Sequence, residues 1–388
     1  MRYLWYSMYG FATTLAIYAI FFRQPAAPVP NPQTPPPGTT AVVTPADKPN
    51  AQVQIALILD TSSSMDGLVA QARTQVWDMV AEMQLDDNDK ERTVEVALYQ
   101  YGNNRISKRQ GFIEQLAPLT TDLDRVSVKL HGLRTSGGKE YAPQAILRAA
   151  EELDWDDDDS VERILVIAGN EGFHQGKVRL QDALAVTNRK NITVLPIFCA
   201  NSGASRTAIT SWRNAASLAG TDFDSIDPDQ QVAKIESPYD AVILEKYRQL
   251  EESKVYAPGS GRSQYAKKAD EYVKGAVAID RAVVKSRQAS QSDIVSAYGK
   301  GQVDLDSISM PSALKGKSRR DQVQYLEQKQ SEQEALRREI SELNNKRQEH
   351  IEQQMKEVPS YSPASLGSSF KRQTSKQRQA KSGHPAGY

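Results

Sequence analysis

Asp60, Ser62 and Ser64 are the residues of this chain whose types and spacing are best suited to chemistry. They lie in the run Asp60-Thr61-Ser62-Ser63-Ser64, which directly follows the apolar stretch 53–59. One carboxylate and two hydroxyls at alternate positions form a compact set of oxygen atoms, the ligand type that Mg²⁺ prefers. With a single acid among its ligands, a bound ion stays electrophilic and can accept a carboxylate from another molecule. The alternative is a turn that caps the next helix, predicted from Gly67 to about Leu85.

The composition excludes several classes of protein. The chain has 388 residues with 48 basic and 48 acidic side chains, so its net charge gives no reason to expect a nucleic-acid partner. A single cysteine excludes an internal disulfide framework, and four scattered histidines do not indicate a zinc hydrolase. Cys199 ends an apolar run and is predicted to be an inert core thiol. Because no nucleophile–base pair or phosphate-binding loop is visible, we do not expect an enzyme.

Strand and helix patterns alternate between residues 51 and 240, the predicted globular domain. Such alternation predicts an α/β fold with a doubly wound, mostly parallel sheet flanked by helices. Ligands of these sheets bind beyond the carboxyl ends of the strands, where the Asp60 loop falls. The predicted strands are Val53–Leu59, Thr93–Tyr101, Gly111–Leu119, Ile164–Ala168 and Ile192–Phe198, and the predicted helices are Leu68–Met83, Leu123–Leu133, Ala142–Leu153, Leu180–Asn188 and Ile209–Leu218.

The first 50 residues predict an attachment to a membrane. Residues 3–22 contain no charged side chain and are long enough to cross a hydrocarbon core. We expect an uncleaved anchor within residues 1–24, with a cleaved signal peptide as the alternative. Residues 25–50 carry nine of the nineteen prolines and predict an extended spacer. This makes the chain a predicted single-pass membrane protein whose domain lies in the periplasm or otherwise outside the cytoplasm.

The region after residue 240 predicts helices rather than alternating elements. Residues 241–357 contain the helical patterns Ala241–Ser253, Ser263–Arg287 and Arg320–Glu357. The last of these has a short apolar seam typical of a coiled coil, which Arg347 interrupts, so we expect a helical hairpin packed on the domain. Residues 358–388 contain five basic side chains and no acid. They predict a disordered tail, which either contacts an anionic surface or remains solvated.

Several segments together resemble the von Willebrand factor type A domain and its metal-ion-dependent adhesion site. The similarity extends to a bacterial, membrane-anchored subgroup with a helical C-terminal region. It is carried by Asp60-x-Ser62-x-Ser64 and by the runs Asp66–Val69, Val96–Asn103, Leu119–Asp124, Thr135–Tyr141, Ala168–Glu171 and Ile226-Asp227. It implies a metal held by the first loop, with a threonine from a second loop and an aspartate from a third.

This chain departs from that ligand set in two loops. Lys139 stands where a threonine commonly follows the Gly-Gly pair, and a protonated lysine cannot bind a metal. Thr135, just upstream, or Glu140, just after, are the substitutes that the resemblance leaves open. In the third loop Asn170 takes the place of the aspartate, where it either ligates the metal through its neutral carbonyl or holds a water.

The metal site predicted from the resemblance therefore comprises Asp60, Ser62, Ser64, Thr135 and Asn170, with Glu140 as an alternative ligand. The expected ion is Mg²⁺ or another divalent cation such as Mn²⁺ or Ca²⁺. The resemblance implies a protein-binding module that captures an acidic side chain of a protein partner. The alternative function is a metal-free assembly scaffold of the cell envelope, acting through its C-terminal helices.

Overall fold

The computed structural model describes residues 51–85, 90–200, 203–229, 234–288, 292–357 and 365–382. The predicted anchor and the proline-rich spacer lie outside these ranges. Within them, every helix is too short or too polar to cross a membrane.

A six-stranded sheet forms the centre of the described domain. Its strands are β1 (Val53–Asp60), β2 (Val94–Tyr101), β3 (Ile113–Ala117), β4 (Glu162–Gly169), β5 (Ile192–Cys199) and β6 (Asp224–Ile226). They lie in the order β3-β2-β1-β4-β5-β6, and all neighbours are parallel except β2 and β3. The predicted mostly parallel α/β sheet is confirmed. The three-residue β6 was not predicted, because so short a segment shows no periodicity.

Helices cover both faces of this sheet. The helices of the domain are α1 (Asp66–Met83), α2 (Leu123–Gly132), α3 (Ala142–Glu152), α4 (Leu180–Arg189) and α5 (Arg206–Leu218). Because successive side chains of a strand point to opposite faces, Leu57 and Leu59 pack with α1 and α2, whereas Ala56 and Ile58 pack with α3, α4 and α5. All eight residues of β1 are buried, so the central strand fixes the position of the loop that follows it.

Five further helices pack against the α1 and α2 side of the domain or against one another. They are α6 (Asp240–Ser253), α7 (Gln264–Tyr272), α8 (Ala276–Arg287), α9 (Ile294–Gly299) and α10 (Arg319–Glu357). The single helix predicted over 263–287 is wrong, since it is divided between α7 and α8 at Gly275, whose φ is +57°. The predicted packing of the last long helix on its own chain is confirmed, because Leu336 and Ile340 of α10 pack on Ile243 and Leu250 of α6. The two do not form a hairpin of consecutive helices, since α10 is a single helix of 39 residues and α7, α8 and α9 separate it from α6 in the sequence.

Arg347 is a buried part of the α10 interface rather than the point where that interface stops. Its guanidinium lies 3.0 Å from Asp240 Oδ1 and 3.0 Å from Asp280 Oδ1. The two carboxylates compensate the charge, which allows an arginine to occupy a seam otherwise lined by aliphatic side chains. Burial of Arg347 depends on partners far away in the sequence, so the local pattern could not predict it.

The prediction of a disordered tail is wrong for residues 366–382. They form α11 (Leu366–Ser382), in which Leu366 and Phe370 are buried in the same core cluster as α1. The spacing of four residues places both side chains on one helical face. On another face Arg372 forms a salt bridge of 2.8 Å with Asp224. The basic side chains of the tail therefore meet acids of the domain itself, and two buried apolar residues supply the packing that ordering needs.

Candidate metal-binding site at the carboxyl edge of the sheet

The loop after β1 is a turn closed by its own aspartate. Asp60 is fully buried, and its Oδ1 accepts a hydrogen bond of 2.8 Å from the backbone N–H of Ser62. The next helix begins at Asp66 after Met65, and no side chain caps its first turn. The helix-cap alternative is therefore wrong. Thr61 anchors the turn to β2, because its hydroxyl lies 3.1 Å from Gln100 Oε1.

Three oxygen atoms on two neighbouring loops are buried without a hydrogen-bond partner. They are Asp60 Oδ2, Ser62 Oγ and Asn170 Oδ1. The amide Nδ2 of Asn170 donates a hydrogen bond of 3.0 Å to Ser64 Oγ, which joins the loop after β4 to the loop after β1. Buried polar atoms without partners are rare in folded proteins and cost free energy. A hard divalent cation, which binds carboxylate, hydroxyl and amide oxygens, would satisfy these atoms, so this residue set fits the predicted metal.

The electrostatics of Asp60 favour a cation. The pKa of Asp60 is raised from 3.8 to about 7, mainly by burial and also by the nearby negative charge of Glu140, although the N–H of Ser62 acts against both effects. The carboxylate has no cationic side chain among its described contacts to offset the loss of solvation. A divalent ion would supply that compensation and displace the proton.

Glu140 is brought to the site by the loop between α2 and α3. It is nearly fully buried, and its Oε2 accepts a hydrogen bond of 2.6 Å from Gln175 Nε2. Burial raises the pKa of Glu140, and the negative charge of Glu171 adds to this increase. Gln175 was not predicted as part of the site. Its role depends on the approach of two loops that are separated by 35 residues, for which the sequence carries no local signal.

Thr135 and Lys139, from the same loop as Glu140, are not hydrogen-bonding or charged neighbours of Asp60 in the described part of the chain. The hydroxyl of Thr135 donates a hydrogen bond of 2.6 Å to Asp66 Oδ1 at the start of α1, and Lys139 is exposed. Of the two substitutes for the missing threonine, Glu140 is therefore the one that contributes negative charge next to Asp60. The assignment of Thr135 as a ligand remains a prediction.

Two glycines let the loops approach this closely. A Cβ on Gly138 would lie 1.7 Å from the carbonyl oxygen of Gly102, and a Cβ on Gly102 would lie 2.7 Å from Asp60 Oδ1. Gly102 also has a φ of +78°, a conformation that other residues rarely adopt. Gly138 thus serves backbone packing between the second loop and the residue that follows β2.

The loop after β4 is held by α5. Trp212 Nε1 donates a hydrogen bond of 2.7 Å to the carbonyl oxygen of Glu171, and the N–H of Phe173 donates one of 3.0 Å to Ser211 Oγ. These contacts fix the backbone on both sides of Gly172, next to Asn170. In the part of the chain that the structure describes, no three His, Cys, Asp or Glu side chains converge as a metal site. Metal binding here would therefore depend on hydroxyl and amide oxygens in addition to the carboxylate of Asp60.

Residues 54–214 match the family model of the von Willebrand factor type A domain. The chain therefore contains a von Willebrand factor type A domain, as the resemblance implied. A comparison with curated proteins gives no match.

Several solved structures resemble part of this chain. The VWA domain of SpRpn10 is 16% identical, with 47% of this chain and 91% of that chain covered and a TM-score of 0.34. The pilus adhesin SpaC of Lactobacillus rhamnosus GG is 13% identical, with 46% and 28% covered and a TM-score of 0.34. Proximal thread matrix protein 1 of the mussel byssus, with a zinc-occupied MIDAS motif, is 12% identical, with 46% and 43% covered and a TM-score of 0.36. The match thus spans less than half the length of the mussel and pilus proteins.

Proposed function

We propose that this chain is a membrane-tethered protein-binding module, in which a divalent cation at the carboxyl edge of the sheet captures an acidic side chain of a protein partner. The observation that carries the proposal is the set of three buried, unpartnered oxygen atoms on Asp60, Ser62 and Asn170. These atoms belong to the loops that the sequence predicted for a metal site, and they lie within a von Willebrand factor type A domain.

The residues of the site have different parts in this proposal. Asp60, Ser62 and Ser64 would hold the ion, with Asn170 presenting its carbonyl oxygen from the loop after β4. Glu140 would add negative charge from the second loop. The bound cation supplies a Lewis-acidic position for an incoming carboxylate. Because the ligand set is poor in fully charged groups, the ion would retain an affinity for a further acid.

Mg²⁺ is the ion that we propose, since the first loop offers hydroxyl and carboxylate oxygens and no sulfur or imidazole. Mn²⁺ and Ca²⁺ favour similar ligands and are tested beside it. The membrane tether is proposed from the uncharged segment 3–22, and with it we propose that the domain lies outside the cytoplasm.

Isothermal titration calorimetry on the full chain in detergent tests the metal site. After removal of metals with chelator, Mg²⁺ should give a saturable binding heat at pH 7.5. The double variant Ser62→Ala with Ser64→Ala removes two hydroxyl ligands and should lose that heat. Ser63→Ala is the matched control, because Ser63 is exposed in the same loop between the two ligand positions. Equal binding heats in the double variant and the wild-type chain would exclude the proposed site.

A metal-free scaffold is the second candidate. It is supported by the way in which α8 and α11 contribute Val284, Leu366 and Phe370 to the same core cluster as α1. The C-terminal helices are thus built onto the domain and offer a continuous surface. Crosslinking and affinity capture from native membranes separate the two functions. A partner retained in chelator supports the scaffold, whereas a partner released by chelator and restored by Mg²⁺ supports the metal-dependent module.

A further inference from the structure

A groove of about 570 Å³ lies beside the candidate metal site, between the domain and the C-terminal helices. One wall is formed by the end of α2 and by β2, with Lys129 and Gln100 among its residues. The other wall is formed by α7, through Tyr265 and Lys268. Because α7 belongs to the C-terminal helical region, the groove is a composite of both parts of the chain.

Specific contacts hold α7 against α2 and keep the groove formed. Val128 of α2 packs with Ala269 and Val273. The rings of His131 and Tyr272 are stacked with their centroids 5.1 Å apart and their planes 7° from parallel. Both contacts lie directly beside the groove and join its two walls.

The groove is strongly positive. Arg105, Lys129, Arg134 and Lys268 line it, and within the described ranges none of these four cations forms a salt bridge. Arg134 donates only to backbone carbonyl oxygens, and Lys268 lies over the ring of Tyr272. The acid among the described lining residues is Glu114, whose carboxylate accepts a hydrogen bond of 2.7 Å from Gln100. Four cations with a single acid in a concave surface focus a positive potential.

The groove is also continuous with the metal-binding loops. Asn103 lines it, and its amide donates a hydrogen bond of 2.8 Å to the carbonyl oxygen of Arg134, which directly precedes the second loop. Gln100 at the floor contacts the hydroxyl of Thr61, the neighbour of Asp60. The groove and the metal-binding loops are therefore direct neighbours in the fold.

We infer that this groove binds an acidic segment of a protein partner, next to the carboxylate that the metal captures. The inference rests on the proposed function for the identity of the partner, because the same chain would occupy both places. Binding in the groove itself does not require the metal. Lysine and arginine side chains that form no salt bridge within the described ranges attract carboxylates, and the half-buried Leu116 provides apolar contact for the intervening side chains.

The test is fluorescence anisotropy with a labelled peptide of eight glutamates and the full chain in detergent, in chelator and at low salt. A labelled peptide of eight glutamines serves as the neutral probe. We expect saturable binding of the glutamate peptide alone, and weakening as salt is added. The variant Lys129→Glu with Lys268→Glu should weaken binding by about tenfold or more, since two attractive contacts become repulsive.

Lys315→Glu is the matched control, because Lys315 is exposed and does not line the groove. It should change the affinity by less than about twofold. Arg105→Ala is a second groove variant. Because Arg105 lies in an exposed loop, this change preserves the contact between α2 and α7. Circular dichroism melting checks that each variant is folded. Equal binding of the two peptides, or equal losses in the groove and control variants, would overturn the inference.

The same preparations are titrated with Mg²⁺ by calorimetry, which separates the two proposals. If the glutamate peptide binds in chelator but Mg²⁺ gives no binding heat, the metal-site proposal is wrong and the groove proposal stands. If Mg²⁺ gives a binding heat but the groove variants do not change peptide binding, the groove proposal is wrong and the metal-site proposal stands.

Discussion

Asp60 and Asp124 are both completely buried, but the chain provides cations for only one of them. Asp124, in α2, is 2.6 Å from the guanidinium of Arg281 and 2.5 Å from the ammonium of Lys285, both in α8. Burial alone would raise the pKa of Asp124, but these two cations hold it below its usual value. Asp60 lacks such partners among the described residues, and its pKa is raised to about 7.

The difference distinguishes a structural acid from a binding acid. At the interface between the domain and the C-terminal helices, each buried acid discussed above is compensated within the chain. At the carboxyl edge of the sheet the compensation is missing, and two further oxygen atoms beside Asp60 have no partner. The first arrangement stabilises the fold, whereas the second leaves a cost that a cation from solution can remove.

Removing the internal cation should have the largest effect on stability. Arg281→Ala would leave Asp124 with Lys285 as its remaining close cation and should lower the free energy of unfolding by about 3 to 5 kcal/mol. Urea denaturation followed by circular dichroism measures this change. Arg179→Ala breaks an exposed pair with Asp182 and serves as the control, with a much smaller expected loss because solvent screens that pair. Similar losses in the two variants would mean that the Asp124 cluster is not structural.

Neutralising Asp60 should raise the free energy of unfolding, whereas removing Arg281 lowers it. Between pH 3.8 and about 7, metal-free folded protein retains a proton on Asp60 that the unfolded chain has lost. Its free energy of unfolding therefore falls as pH rises through this window, by roughly 4 kcal/mol at 1.36 kcal/mol per pKa unit. In chelator at pH 8, Asp60→Asn should be more stable than the wild-type chain by several kcal/mol, and at pH 4 the two should be equal. Thermal melting across this range checks the sign, and a variant less stable at pH 8 would contradict it.

Adding a methyl group where the second loop packs on Gly102 should change the free energy of unfolding less than the two changes above. It should also lower the affinity of the site for Mg²⁺. Gly138→Ala places a methyl group against the carbonyl of Gly102 and should cost about 1 to 3 kcal/mol, together with most of the Mg²⁺ affinity. Gly137→Ala is the matched control, since its methyl group would meet only Ser63 Oγ at 3.2 Å and Asn104 Nδ2 at 3.7 Å, which belong to two flexible side chains that can adjust. Equal Mg²⁺ affinities in both variants would show that the approach of the second loop does not matter to the site.

The extent to which the sequence predicted these features follows from how local each feature is. Apart from β6, the strands and helices of the predicted domain 51–240 were predicted with ends shifted by at most three residues, as at Ile209, where α5 begins at Arg206. The proposed ligands of the first loop could be found in the sequence because they lie close together in the chain, in the run Asp60–Ser64. The contact between Glu140 and Gln175, and the packing of Gly102 on Gly138, depend on loops that meet only in the folded sheet.

In the C-terminal helices, too, contacts between residues far apart in the sequence could not be predicted. Leu366 and Phe370 are an apolar pair at helical spacing, which could have indicated that α11 packs on the domain. The salt bridges that complete this packing, such as that of Arg372 with Asp224, join residues nearly 150 positions apart. The basic composition of the tail therefore predicted a solvated segment. In the structure, acidic side chains of the domain pair with basic side chains of α11.

The most direct test of the account is the number of protons that Mg²⁺ displaces from the full chain. Calorimetric titrations at pH 6 in two buffers of different ionisation enthalpy give this number. Because Asp60 with a pKa of about 7 is mainly protonated at that pH, binding should release roughly one proton, and Asp60→Asn should abolish the release. Absence of Mg²⁺ binding, or binding with no proton released, would contradict the claim that Asp60 is a buried acid awaiting an external cation.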